Sequence, residues 1–131
     1  IEVARKKQRY DNLYIKEMTA FLQDTKIGKP VYDLIVSGDA LVYFGDLRSV
    51  FRGVSKRLSC NGIFCFSLEN LNSGSFNLCP TGRYAHSNSY ITDLSNEIGF
   101  KVLVAKNIIP RIDDSQNIRG CLYLLSSNGR N

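Results

Sequence analysis

The sequence predicts an α/β domain in which a parallel strand–helix–strand unit is closed by an antiparallel hairpin. Three observations carry that prediction. Tyr32 to Val36 ends in Leu34, Ile35 and Val36, a run short enough for a strand and too uniformly apolar for a sheet wet on one face, so it reads as a central parallel strand. Leu47, Val50, Phe51, Val54 and Leu58 then recur at helical spacing, and Ile63 to Leu68 returns as a second apolar strand. Phe100 to Ala105 and Ile118 to Leu125 are rich in β-formers and flank Asp113, Asp114, Ser115 and Gln116, which marks an antiparallel pair.

Size and charge bound the possibilities. The chain has 131 residues, the length of one domain with a buried core, and its 17 Lys plus Arg against 12 Asp plus Glu leave a net charge of +5. No basic tail or arginine–aromatic ribbon concentrates that excess, which argues against a nucleic-acid-binding domain and for a solvated basic surface. Cys60, Cys65, Cys79 and Cys121 are irregularly spaced, form no CxxC and share the chain with a single histidine, so reduced thiols are expected and no metal site. There is no apolar run of membrane-spanning length and no basic-then-apolar signal segment, which points to a cytoplasmic protein with no membrane partner. The chain opens Ile-Glu-Val-Ala and holds one methionine, Met18, so its first residues read as the continuation of something longer.

In chain order, Ile1 to Arg9 fits the end of an amphipathic helix with Arg5, Lys6, Lys7 and Arg9 outward. Leu13 to Lys16 is a short strand candidate ending at Glu17 and Met18, Thr19 to Gln23 offers one helical turn, and Gly28, Lys29 and Pro30 turn the chain into the central strand. Ser37, Gly38 and Asp39 stand at that strand's carboxyl end, where open α/β sheets place their ligand crevice. Asp46 is placed to cap the next helix, and Asn61 with Gly62 supplies a left-handed stop. Asn70 to Ser75 is a polar loop, Phe76 to Leu78 a short extended piece, and Pro80, Thr81 and Gly82 turn the chain toward Arg83, Tyr84 and His86. Ser87 caps a helix that presents Tyr90, Ile91, Leu94 and Ile98 on one side and stops at Gly99.

The segments YDLIVSGDALVYFGDL, RLSCNGIFCFSLEN, TGRYAHS and the Gly99-Phe100 pair, in this order and followed by a closing hairpin, resemble the carboxyl-terminal part of a class I S-adenosylmethionine-dependent methyltransferase, over nearly the whole chain. The resemblance implies an incomplete Rossmann-like methyltransferase fold, a mostly parallel sheet with an antiparallel carboxyl-terminal hairpin. Tyr32 to Val36 and Ile63 to Leu68 would be its fourth and fifth strands, and Leu13 to Lys16 its third. It further implies S-adenosylmethionine as cofactor, with Glu17 and Met18 against the adenine and Ser37, Gly38, Asp39 and Tyr43 along the methionine part. Read by themselves, Glu17 is equally a solvated strand end, Met18 a core residue and Asp39 a turn residue.

The chemistry implied is transfer of an already electrophilic methyl, which asks the protein to align the acceptor and exclude water. His86 is the candidate base where an acceptor must lose a proton, and Arg83 and Tyr84 are candidate contacts to an acceptor that is a small molecule or a protein. The family's first strand, its glycine-rich loop and the acidic residue ending its second strand have no counterpart here, and no GxG pair occurs. Two expectations follow. The chain holds at best half a cofactor site and is a methyltransferase completed by other residues, a non-catalytic interaction module or remnant of a methyltransferase, or a basic nucleic-acid-binding domain, which a steep loss of affinity with salt would mark. Without the first strand, Tyr32 to Val36 presents an apolar edge that a homodimer or a missing amino-terminal segment should cover.

Overall fold

The computed structural model describes residues 1–14, 16–24 and 31–127. Among the described residues six strands form one sheet: β1 (Tyr32–Ser37), β2 (Leu58–Asn70), β3 (Phe76–Leu78), β4 (Tyr84–His86), β5 (Lys101–Asp113) and β6 (Gln116–Ser126). The sheet is mixed. β2 pairs in parallel with β1 and, at its carboxyl end, with β4, while β2–β6, β5–β6 and β3–β4 are antiparallel. The crossover from β1 to β2 runs through helix α3 (Arg48–Arg57), and helix α4 (Asn88–Ile98) leads from β4 to the closing hairpin. Two short helices, α1 (Glu2–Lys7) and α2 (Met18–Gln23), precede the sheet.

Local chemistry explains these boundaries. The Ser87 hydroxyl accepts from the Tyr90 amide at the start of α4, and Gly99 at φ 103° ends it in the left-handed conformation that costs glycine nothing. Asp46 works from one residue further out than expected: Leu47 occupies the cap position of α3, and the Asp46 carboxylate reaches past it to accept from the Arg48 amide at 2.9 Å. The helix then gives way directly to β2 at Leu58. Asn61 does take the left-handed conformation, φ 64°, but as a kink inside the strand, where the β1–β2 register slips between Tyr32 and Leu34, and not as a helix stop.

The core lies on one face of the sheet. Val50, Phe51 and Val54 of α3 and Ile91, Leu94 and Ile98 of α4 pack on Phe64, Phe66 and Leu68 of β2 and on Tyr123 and Leu125 of β6. Phe51 meets Phe64 and Phe66 edge-on with ring centroids 5.7 and 5.6 Å apart, a favourable quadrupole arrangement. The register puts the other set of side chains, Leu34, Val36, Ile63, Cys65, Leu122 and Leu124, on the opposite face. None of those six is buried, and Leu34 and Val36 are 58% and 63% exposed.

Tyr32 to Val36 lies at an edge, with β2 as its only partner among the described residues, as the absent first strand implies, and the central position read from its composition is corrected. The strand expected over Leu13 to Lys16 is corrected: Leu13, Tyr14 and Lys16 make no ladder with the open edge of β1, and the Tyr14 ring packs on Phe21 instead, 5.1 Å between centroids. The turn expected at Gly28, Lys29 and Pro30 lies outside the described residues.

Candidate functional site

β1 delivers Ser37, Gly38 and Asp39 to the carboxyl end of the parallel strands, and a single 3-10 turn, Leu41–Tyr43, leads on toward α3. Against the β1 edge lies a hollow of about 250 Å³, lined among others by Met18, Phe21, Ile35, Ser37 and Leu41. Pockets for drug-sized ligands run to about 300–1,000 Å³, so this slot has room for one ring system and not for a whole nucleoside derivative. Its walls are mostly apolar, as a flat heteroaromatic ring requires.

The helix that carries Met18, Phe21 and Leu22 into the slot is tied to α3 by an arginine. Arg57 is buried: its Nε donates to the Leu22 carbonyl at 3.0 Å, and Nη2 donates to the carbonyls of Phe21 at 3.2 Å and Asp24 at 2.6 Å. These are the orphan acceptors that every helix end leaves, here those of α2, and a guanidinium satisfies them while meeting the negative end of the helix dipole. α2 also closes on α3 at Gly53, where a Cβ would come within 2.7 Å of Leu22 Cβ. Met18 is thereby fixed as the first residue of α2.

Of the residues singled out for the cofactor, Met18 and Ser37 share this slot. Glu17 is not among the residues that line it and serves as the N-cap of α2: its carboxylate accepts from the Thr19 amide at 2.8 Å and the Ala20 amide at 3.2 Å, and the Thr19 hydroxyl is the main cause of its lowered pKa. Gly38 has open space around it, with no atom within 4 Å of where a side chain would start. Asp39 takes the left-handed conformation, φ 55°, and pairs with Arg111 from the closing hairpin. Tyr43 is exposed and stands apart from the slot.

The residues singled out for the acceptor and for proton transfer form a second group. Arg83 is committed internally, donating from Nε to Glu69 at 2.5 Å and from Nη2 to Asp113 at 3.1 Å, and these two carboxylates hold its pKa above the ordinary value. Tyr84 packs edge-on against Phe76 with centroids 6.2 Å apart. His86, 1% exposed, is stacked on Tyr90, and its Nε2 donates to the Gly45 carbonyl at 2.8 Å. That bond leaves Nδ1 as a buried lone pair without a hydrogen-bond partner, and burial pushes the imidazole pKa below its usual 6.5. The ring is therefore neutral at pH 7. Gly45 is the hinge of this aromatic cluster, since a Cβ there would lie 2.9 Å from both Phe76 Cε1 and Tyr84 Cε1.

Sequence reasoning missed Phe21 and Leu41 as slot residues because their partners are brought up by tertiary folding. It also missed Arg111, whose pairing with Asp39 and Glu69 ties β5 to the loop after β1. Its one signal was Pro110, a residue that cannot sit regularly inside a strand. Among the described residues the four cysteines are free thiols, no group of three His, Cys, Asp or Glu side chains is arranged to hold a metal ion, and no helix is long and apolar enough to cross a membrane.

No family model matches the chain, and no curated protein matches it by sequence. Solved structures do. The chain superposes on a putative S-adenosylmethionine-dependent methyltransferase from Listeria monocytogenes with a TM-score of 0.64 at 16% identity, covering 95% of this chain and 74% of that one. It superposes on the 1,6-didemethyltoxoflavin-N1-methyltransferase of Burkholderia thailandensis, solved with 1,6-didemethyltoxoflavin and S-adenosylhomocysteine bound, with a TM-score of 0.72 at 13% identity, covering 95% and 56%. The [4+2]-cyclase SpnF matches equally well, with a TM-score of 0.72 at 10% identity over 95% of this chain and 59% of that chain. The chain thus spans little more than half the length of two of these three proteins. At such identities the likeness is one of fold, and one fold hosts more than one reaction. The chain has the fold of the class I S-adenosylmethionine-dependent methyltransferases, from the Tyr32–Ser37 strand through the crossover helix to the antiparallel closing hairpin.

Proposed function

We propose that this chain is the acceptor-side part of an S-adenosylmethionine-dependent methyltransferase. The observation that carries the reading is the apolar slot shared by Met18 and Ser37 at the carboxyl end of β1, in a domain of methyltransferase fold. Met18, Ile35 and Leu41 would pack on the adenine ring, and Glu17 would act on it by holding Met18 in place as the cap of α2, its two oxygens being taken up by Thr19 and Ala20. Ser37, Gly38 and Asp39 would line the methionine part, where the open space at Gly38 admits close backbone approach, with Tyr43 on the turn beyond. What S-adenosylmethionine supplies when bound is an electrophilic methyl group. The chain's own task is to orient the acceptor and exclude water. His86, neutral and with an unpartnered Nδ1, takes the proton-accepting role for acceptors that must lose a proton. Arg83 acts on the acceptor indirectly, by fixing Tyr84 and the β3–β4 hairpin.

The ribose and the remaining half of the cofactor need further residues. In this proposal they come with a strand laid along the free edge of β1, from a second copy of the chain or from additional sequence. Calorimetric titration with S-adenosylhomocysteine tests the reading: saturable binding, weakened by Met18→Ala and by Ser37→Asp, is expected. Absence of saturable binding at millimolar ligand, in both the isolated chain and its dimer, sinks it.

A second reading, a non-catalytic interaction module, is supported by the exposed apolar row of Leu34 and Val36. It predicts tight self-association or partner capture with no affinity for S-adenosylhomocysteine.

A further inference from the structure

The closing hairpin is interrupted where it meets the carboxyl end of β2. On β6, Gly120 faces Ile108 and Ile118 faces Arg111, so that Ile109 and Pro110 of β5 together oppose the single residue Arg119. This is a β-bulge, two residues against one, a device that bends a strand and re-aims the side chains around it. Pro110 has no amide hydrogen to offer the ladder, which is why the irregularity falls there. The bulge opens a hollow of about 560 Å³ lined by Asn70, Asn107, Ile108, Ile109, Arg119 and Gly120.

The polar side chains of that hollow are unspent. Arg83 and Arg111, at the same end of the sheet, are both engaged by carboxylates, Arg83 by Glu69 and Asp113, Arg111 by Asp39 and Glu69. Arg119 makes no ion pair, and the side chains of Asn70, Asn107 and Arg119 make no hydrogen bond, among the described residues. Glu69, the carboxylate next to Asn70 in the chain, is turned to the two paired arginines, so the exposed Arg119 guanidinium keeps its donors for solvent or a ligand. A guanidinium fork flanked by two carboxamides, with Ile108 and Ile109 as an apolar wall, is a donor set matched to an oxyanion. The net charge of +5 favours the approach of such a ligand.

We propose that this hollow is a binding site for an oxyanionic group, a carboxylate or a phosphate, held by the Arg119 guanidinium and the amide groups of Asn70 and Asn107. As a binding site it does not rest on the methyltransferase reading. Where both hold, it anchors the acceptor.

The test is nitrogen-15 NMR of the whole chain at constant ionic strength, titrated in separate arms with inorganic phosphate and with malonate, observing the Arg119 Nε and the Asn70 and Asn107 side-chain amides. Saturable shifts at these groups are expected, at least tenfold weaker in Arg119→Gln and unchanged in Arg52→Gln, an exposed arginine on α3 with the same charge. A tighter phosphate arm identifies a phosphoryl ligand and a tighter malonate arm a carboxylate. Equal arms leave the shared oxyanion chemistry standing. Arg119→Lys keeps the charge and loses the fork, so it should bind several-fold more weakly than the parent chain. Non-saturating shifts, or binding that survives Arg119→Gln or Arg119→Lys undiminished, overturns the proposal. S-adenosylhomocysteine titration of Arg119→Gln is expected to match the parent, so failure here leaves the cofactor reading where it was.

Discussion

The two faces of the sheet are built from almost equally apolar residues and meet opposite fates. On the helix side Phe64, Phe66 and Leu68 are fully buried under α3 and α4, while on the other side Ile63 and Cys65 are only half-covered and Val36 stands in the open. The alternation is a single residue apart along the same strand. The difference teaches that a strand's composition records the environment it is suited to, and that the covering elements decide which face receives it.

The largest expected contrast tests the comparison directly. Phe66→Ala removes a side chain that is 1% exposed and touched by Phe51, Phe64 and Tyr123, and should destabilise by about 3–5 kcal/mol in urea unfolding. A loss under about 1 kcal/mol would mean that the helix side is not the true core.

Gly53→Ala asks whether the slot belongs to that same packed body. The added Cβ meets Leu22 Cβ at 2.7 Å, and overpacking of about 1–3 kcal/mol should outweigh the gain of about 1 kcal/mol in helix propensity. It should also displace α2, so weakened S-adenosylhomocysteine binding in a chain that still folds would place Met18's position under the control of α3. Unchanged stability would show that α2 rides loosely on the core.

A smaller effect comes from His86. Its pKa is held below 6.5 in the folded chain, so the unfolded chain binds the proton first as the pH falls. The stability that depends on the neutral ring is complete above about pH 6.5 and declines as the pH drops toward the folded value, by at most about 1.4 kcal/mol per pH unit. Urea midpoints between pH 8 and pH 5 should show this slope, and His86→Gln should abolish it. The carboxylates with lowered pKa, Glu17 and Asp46, act below that window.

The smallest effect is expected on the bare face. Val36→Thr should change stability by less than about 0.5 kcal/mol, since no packed neighbour is lost. If self-association covers this face, the same substitution will lower the dimer fraction in sedimentation while leaving the monomer's unfolding midpoint unmoved.

Much of the fold was legible in the residues because the signals are local. Ser87 and Gly99 bound α4 with their own side chain and backbone, and the stripe from Leu47 to Leu58 assigns α3 its buried face. The site was legible in part. Met18 and Ser37 line one slot, while Glu17 spends bonds on the helix it caps and Arg83 is paired with Glu69 and Asp113, partners close in space that its place in the sequence does not reveal.

By itself the sequence determined the crossover between β1 and β2, the caps of α4 and the antiparallel ending. These depend on periodicity, on hydrogen-bonding groups within a few residues and on backbone conformations that glycine adopts without strain. Only the tertiary structure decided that Leu13, Tyr14 and Lys16 form no strand, that Arg57 turns inward to close α2, and that, among the described residues, Arg119 alone of three arginines at the hairpin's far end is left without a carboxylate. Those outcomes depend on which distant groups arrive first at a limited set of partners, and a charge or an open strand edge carries no local mark of whether its partner will come.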